Sequence, residues 1–166
     1  PVSRAYVRDL SIPITNAKQI QEVIPFEVEN HIPVSLDTAE VIGHAWDIGE
    51  ESSQVITFTA PHDTLEAAVQ PFLKGNVIVR MLSVDCVGLA GIARLLHPDE
   101  VRERTIGQID IGGEQTTLNV LRSGELVFTR TIPIGGQDVT EAIAEQLGID
   151  PAAAEQKKLA LELDLV

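Results

Sequence analysis

Hydrophobic and polar residues alternate with period two in some stretches of this chain and recur every three to four residues in others. The order of those stretches predicts its elements. Residues 4–12 (RAYVRDLSI) read as a strand, with Ala5, Val7 and Asp9 on one face and Tyr6, Arg8 and Leu10 on the other. A helix is expected over 17–30, capped by Thr15 or Asn16, with Ile20, Val23, Ile24 and Val28 as its apolar stripe and Pro25 as a bend or restart. Residues 38–48 (TAEVIGHAWDI) and 54–60 (QVITFTA) alternate as two strands joined by a loop over 49–53. Asp63 or Thr64 opens a second helix to Leu73, with Leu65, Ala68, Val69 and Phe72 as its buried stripe and Gly75-Asn76 as its stop. Residues 77–84 (VIVRMLSV) predict a further strand. Strand-helix-strand-strand-helix-strand is the ferredoxin-like βαββαβ pattern, expected over 1–84.

Residues 85–96 predict a connecting helix whose small positions, Gly88, Ala90, Gly91 and Ala93, suit close packing. His97-Pro98-Asp99 ends it, and 100–104 reads as a charged linker, so 85–104 connects two parts. Three short strands follow over 105–111, 117–121 and 126–132, the last two joined by the tight turn Arg122-Ser123-Gly124-Glu125. A helix is expected over 138–147 after Gly135-Gly136, and another from Pro151, where proline suits the first turn. An apolar helical pattern continues through Leu159, Leu161 and Leu163. The chain is therefore expected to be α/β, with a ferredoxin-like first part.

Composition narrows the function. The 166 residues are 44% hydrophobic and 22% charged, the profile of a globular protein with a substantial core. Aromatics are only 4%, too few for platforms that stack single-stranded bases. The net charge of −13 repels a phosphate backbone, which excludes nucleic acid as the main partner and favours basic protein segments. The single cysteine, Cys86, lies in an apolar stretch and reads as a buried structural thiol in a reducing compartment. No apolar run of about 18 residues spans a bilayer, and no signal peptide is visible. The chain starts at Pro1 without a methionine, so it reads as a fragment of a longer parent, whose membrane attachment it does not reveal.

The candidate chemistry sits in Ile109-Asp110-Ile111-Gly112-Gly113-Glu114-Gln115-Thr116-Thr117. A strand ends in an aspartate suited to orienting a metal-bound water. Two glycines then let backbone N–H groups approach an anion, and two threonines add hydroxyls. Gly135-Gly136 at a helix start offers a second set of N–H groups. The same pattern also describes a plain three-stranded meander whose glycines serve tight turns. The remaining candidates have structural readings. His31, His44, His62 and His97 are scattered singly and suit surface or loop positions. Trp46 reads as packing, Asp63 as a cap, and Glu27 and Glu29 as an exposed helix edge or a partner surface. No serine or histidine falls into a nucleophile motif such as GxSxG.

The stretch IGQIDIGGEQTTLNVLRSGELVFTRTIPIGGQDVTEAIAEQLGI resembles the second phosphate loop and following elements of the actin-like ATPase superfamily, in the branch containing PilM, GspL and FtsA. The Val120-Leu121-Arg122-x-Gly124 turn, the Phe128-Thr129-Arg130 strand, Ile134-Gly135-Gly136 and Ala154-Glu155-x-x-Lys158 are similar to the pilus and secretion members. Leu10-Ser11-Ile12-Pro13, Ile24-Pro25-Phe26-Glu27-Val28-Glu29 and Ile32-Pro33 extend the resemblance to the first half. The resemblance implies that 1–84 is the inserted subdomain of this branch and that 105–166 opens the second RNase H-like half. It further implies that Asp110 holds a Mg²⁺-bound water, that Gly112, Gly113, Gln115, Thr116 and Thr117 line the β- and γ-phosphates, and that Gly135 and Gly136 close the nucleoside side. ATP and Mg²⁺ are thus implied for the full-length parent. This fragment lacks the first phosphate loop and the adenosine loop, so tight binding and hydrolysis are not expected of it. Glu114 and Gln115 depart from the small residues usual there, which favours a scaffold over an ATPase.

The expected role is a cytoplasmic actin-like scaffold at the inner face of the bacterial inner membrane, in a type IV pilus or type II secretion platform. Its implied partners are a bitopic inner-membrane protein of the PilN or GspM kind and a pilus or secretion motor ATPase. A groove between the first subdomain and the RNase H-like half is the expected place for a peptide. The competing reading is an ATPase that cycles or polymerises like FtsA.

Overall fold

The computed structural model describes residues 4–161. The elements in order are β1 (Tyr6–Ile12), α1 (Ala17–Glu29), a short 3-10 turn (Leu36–Thr38), β2 (Ala39–Ile48), β3 (Ser53–Pro61), α2 (His62–Lys74), α3 (Asp85–Leu96), α4 (Pro98–Glu103), β4 (Thr105–Ile111), β5 (Thr116–Arg122), β6 (Glu125–Ile132), α5 (Gly136–Leu147) and α6 (Pro151–Leu159). The strands form two three-stranded sheets, ordered β1-β3-β2 and β4-β5-β6, so the α/β class expected from the pattern is the class observed. The chain divides into two compact units, 1–108 with 119–129, and 109–118 with 130–166. Helical pattern positions beyond 161, including Leu163, lie outside the described residues, and α6 ends at Leu159.

In the first unit β3 is the central strand, antiparallel to both neighbours, with Leu10 opposite Val55 and Val7 opposite Phe58. Its two faces serve two cores. Val55 packs with Ile12 of β1 and with Ile20 and Ile24, which belong to the apolar stripe of α1. Ile56 packs with Cys86, Ala90, Val101, Leu121 and Leu126. A strand covered on both faces reads as a near-continuous apolar run, and the burial along β3 follows that rule. Helix α1 starts on the Asn16 side chain, which accepts from the Lys18 and Gln19 amides, and it continues through Pro25. Gly43 lets α1 lie close on β2, since a Cβ there would meet Ile24 Cδ1 at 2.5 Å. Trp46 is the extra residue of a bulge in β2 and packs against the second core, which confirms its packing role.

Four local expectations are corrected. Residues 77–84 form no strand: the Val77 amide closes α2 on the Phe72 carbonyl (2.9 Å), Asn76 takes a left-handed φ of 55°, and the segment then runs outside both sheets. Apolar, β-branched residues supply strand propensity but no ladder partner, and the first sheet has three strands within a βαββα order. The stripe of α2 is shallower than expected, with Leu65 and Val69 half-buried while Ala68 and Phe72 are exposed. Asp63 is not the cap of α2, because Pro61 occupies the cap position and Asp63 lies in the first turn. The charged linker is largely helix α4: Pro98 begins it, Asp99 and Glu100 suit its N-terminal turn, and buried Val101 anchors it.

Candidate functional site

In the second unit, the turn after β4 closes on itself, with the Gly112 amide donating to the Gln115 carbonyl at 2.9 Å. The start of α5 then docks onto this turn. The Gly136 amide donates to the Gly112 carbonyl and the Gln137 amide to the Gly113 carbonyl, both at 2.8 Å. The Thr116 hydroxyl donates to the Ile134 carbonyl at 2.7 Å. The approach requires glycine at 135, because a Cβ there would meet Gly113 O at 2.5 Å, Gln115 N at 2.7 Å and Gly112 O at 2.7 Å. The Asp138 carboxylate accepts the Gly135 amide at 2.7 Å and so caps α5 from inside.

The structure thus brings Gly112, Gly113, Gln115, Thr116, Gly135 and Gly136 together. Asp110 sits near the end of β4 with its side chain exposed, and Thr117 is turned inward and only 3% exposed. Several groups assigned to a nucleotide are already engaged: the amides of Gly112, Gly135 and Gly136, and the Thr116 hydroxyl; the neighbouring Gln137 amide is engaged as well. Among the described residues, the Gly113 and Glu114 amides have no backbone acceptor. Of the residues marked for a nucleotide, the Gly113 amide thus has no backbone acceptor and the Asp110 side chain is exposed, whereas the Thr116 hydroxyl and the Gly136 amide have partners within the loop. No group of three or more His, Cys, Asp or Glu side chains converges as a metal site among the described residues.

Behind the loop lies a cluster that the sequence marked only by Glu155 and Lys158. The Lys158 ammonium donates to Glu155 (2.6 Å), to the Thr140 hydroxyl (2.8 Å) and to the Gly136 carbonyl (2.9 Å), which engages all three of its donors. Thr140 also hydrogen-bonds to the Glu155 carboxylate. The hydrogen bond from Lys158, then that from Thr140, holds the Glu155 carboxyl below its usual range. The cluster ties α6 to the first turn of α5. The i, i+3 spacing of Glu155 and Lys158 was its only sequence signal.

The first unit contains an apolar cavity of about 380 Å³, walled by Ile42, Ile56, Phe58, Leu82 and Leu126 among others. Glu40, His44, Arg94 and Glu125 also line it. His44 Nε2 donates to Glu125 Oε2 at 2.7 Å, with both side chains about half exposed. The two residues stand 81 positions apart, so no spacing in the sequence pairs them. Cys86 is fully buried, as expected, and burial pushes its thiol up to about 11. Below it Asn119 bridges the Cys86 carbonyl, Gln108 and Thr129 in a buried polar network that the sequence did not announce.

An α/β chain in which a glycine-turn hairpin is buttressed by the glycine start of the next helix has the build of part of an actin-like protein, and the fold comparison agrees. The chain belongs to the family of the type IV pilus assembly protein PilM, whose model matches residues 7–164. It superposes on a chain of the PilM-PilN type IV pilus biogenesis complex with a TM-score of 0.74 and 25% identity, over 93% of this chain and 47% of that one. It shares its fold with the cytoplasmic domain of EpsL, an inner-membrane component of the type II secretion system of Vibrio cholerae. There the TM-score is 0.51 and the identity 12%, over 90% of this chain and 54% of that one. It is 39% identical over 70 residues to the cell division protein FtsA of Bacillus subtilis (strain 168), covering 42% of this chain and 16% of that protein. The chain therefore spans about half the length of the solved chains it matches.

Proposed function

We propose that this chain belongs to a cytoplasmic scaffold at the inner face of the bacterial inner membrane, within a type IV pilus or type II secretion assembly platform. Family membership across residues 7–164 is the observation that carries this reading. Within that scaffold we read 1–84 as the inserted subdomain, 85–104 as the connection and 105–166 as the opening of the second RNase H-like half. The scaffold recruits a bitopic membrane protein of the PilN or GspM kind and a motor ATPase. The likeness to a chain of the PilM-PilN complex supports the first partner, and the net charge of −13 supports a basic segment in it. The apolar cavity of the first unit supports an extended peptide as what is received. The test is a pull-down with the full-length protein against the cytoplasmic tail of the PilN-kind protein and, separately, the motor ATPase. Retention of at least one is expected, and failure of both sinks the reading.

The convergence of the two glycine loops favours a second reading, in which the whole protein binds Mg²⁺–ATP. Asp110 would then hold a metal-bound water, and the Gly113 and Glu114 amides would meet a phosphate. Bound Mg²⁺ would supply charge neutralisation at the phosphates, while Gly112, Gln115, Thr116, Thr117, Gly135 and Gly136 shape the loop behind them. Titration calorimetry of the whole protein with Mg²⁺–ATP should show binding that Asp110→Ala weakens. A flat titration of the unmutated protein removes this reading.

A further inference from the structure

The cavity of the first unit combines an apolar floor with an unevenly charged rim. Ile42, Ile56, Phe58, Leu82 and Leu126 give it room for one large aliphatic or aromatic side chain within about 380 Å³. The titratable and charged groups around His44 are Glu40 on its own strand, Arg94 on α3 and Glu125 on β6. His62 on α2 stands 4.0 Å from Glu40. Two carboxylates thus border the apolar space, and one of them, Glu125, accepts a hydrogen bond from the His44 imidazole. A carboxylate only accepts, so Nε2 carries the proton in this contact. Both side chains are about half exposed, and an exposed pair of this kind contributes little to the stability of the fold.

We propose that this cavity selects an apolar side chain with a positive charge beside it, and that His44 competes with that charge for the Glu125 carboxylate. The inference rests on the peptide-receiving reading above and names the chemistry of the received segment. A Lys or Arg next to the seated side chain displaces His44 from Glu125 and pairs with the carboxylate. An acidic neighbour meets Glu40 and Glu125 and is rejected.

The experiment uses small probes on the full-length protein: phenethylammonium and phenylacetate, which share a ring and differ in the sign of their charge. Methyl resonances of Ile42, Ile56, Leu82 and Leu126 report occupancy. The ammonium should perturb them at several-fold lower concentration than the carboxylate. Glu125→Gln should remove the preference, and His44→Ala should strengthen ammonium binding by freeing the carboxylate. Unshifted cavity methyls, equal response to both probes, or a preference that survives Glu125→Gln overturns the proposal. If the probes behave as expected while the pull-down fails, the cavity chemistry stands and the platform reading falls. If the tail is retained while the probes show no charge preference, the reverse holds.

Discussion

Gly135 sits where backbone atoms press from three sides, and it concentrates the demands of the loop in one position. Gly135→Ala should destabilise the protein by about 1–3 kcal/mol through overpacking. Gly113→Ala meets nothing closer than 4.0 Å and serves as the control; denaturant unfolding separates the two. Glu155 gives a pH prediction. Its carboxyl is held below the ordinary glutamate value of 4.5, so the native state binds fewer protons than the unfolded one through that range. The stabilisation is complete above 4.5 and is lost as the pH falls through the lower folded value. Thermal melts between about pH 6 and pH 3 should show Glu155→Gln losing the part of the pH dependence that the unmutated protein retains. At this scale the sequence was legible where a residue type has one use. The glycines of the turns and the thiol of Cys86 were readable. The His44–Glu125 pair and the Asn119 network were not, because polar partners far apart in sequence leave no local signal.

Elements were legible where period and punctuation agreed. Helix α1 carries Ile20, Ile24 and Val28 on one stripe behind the Asn16 cap, and it formed as read. Asn16→Ala should cost about 1 kcal/mol, measured by denaturant unfolding, because it leaves the Lys18 and Gln19 amides without their acceptor. The β5–β6 turn was also readable, since Ser123 and Gly124 both adopt positive φ, as a two-residue hairpin turn needs. Residues 77–84 show the limit. Their apolar, β-branched content reads as a strand, yet a strand exists only where another backbone offers a ladder, and that is a property of the assembly of elements. Ile78 is 82% exposed and Met81 is 83% exposed as a result. Helix α4 was missed for the opposite reason, since its charges concealed the single anchoring residue, Val101.

For the molecule as a whole, the α/β class and the family were legible because the glycine-loop motif is long and ordered, and the family match covers nearly all of the chain. Which of the marked residues remain available to a ligand was not legible, because hydrogen-bond partners are decided by tertiary approach. That difference gives a prediction for the 166-residue chain by itself. With its loop amides largely engaged internally, its melting temperature should not move in millimolar Mg²⁺–ATP, whereas a ligand at about 100 times its Kd would add about 2.7 kcal/mol. A scanning melt with and without nucleotide checks it. No helix among the described residues is long and apolar enough to cross a membrane. The loop that satisfies its own carbonyls before any ligand arrives has a consequence for descent. The Gly136 and Gln137 amides keep the hairpin and the helix joined whether or not a phosphate is present, so a lineage can abandon the nucleotide and still inherit the shape.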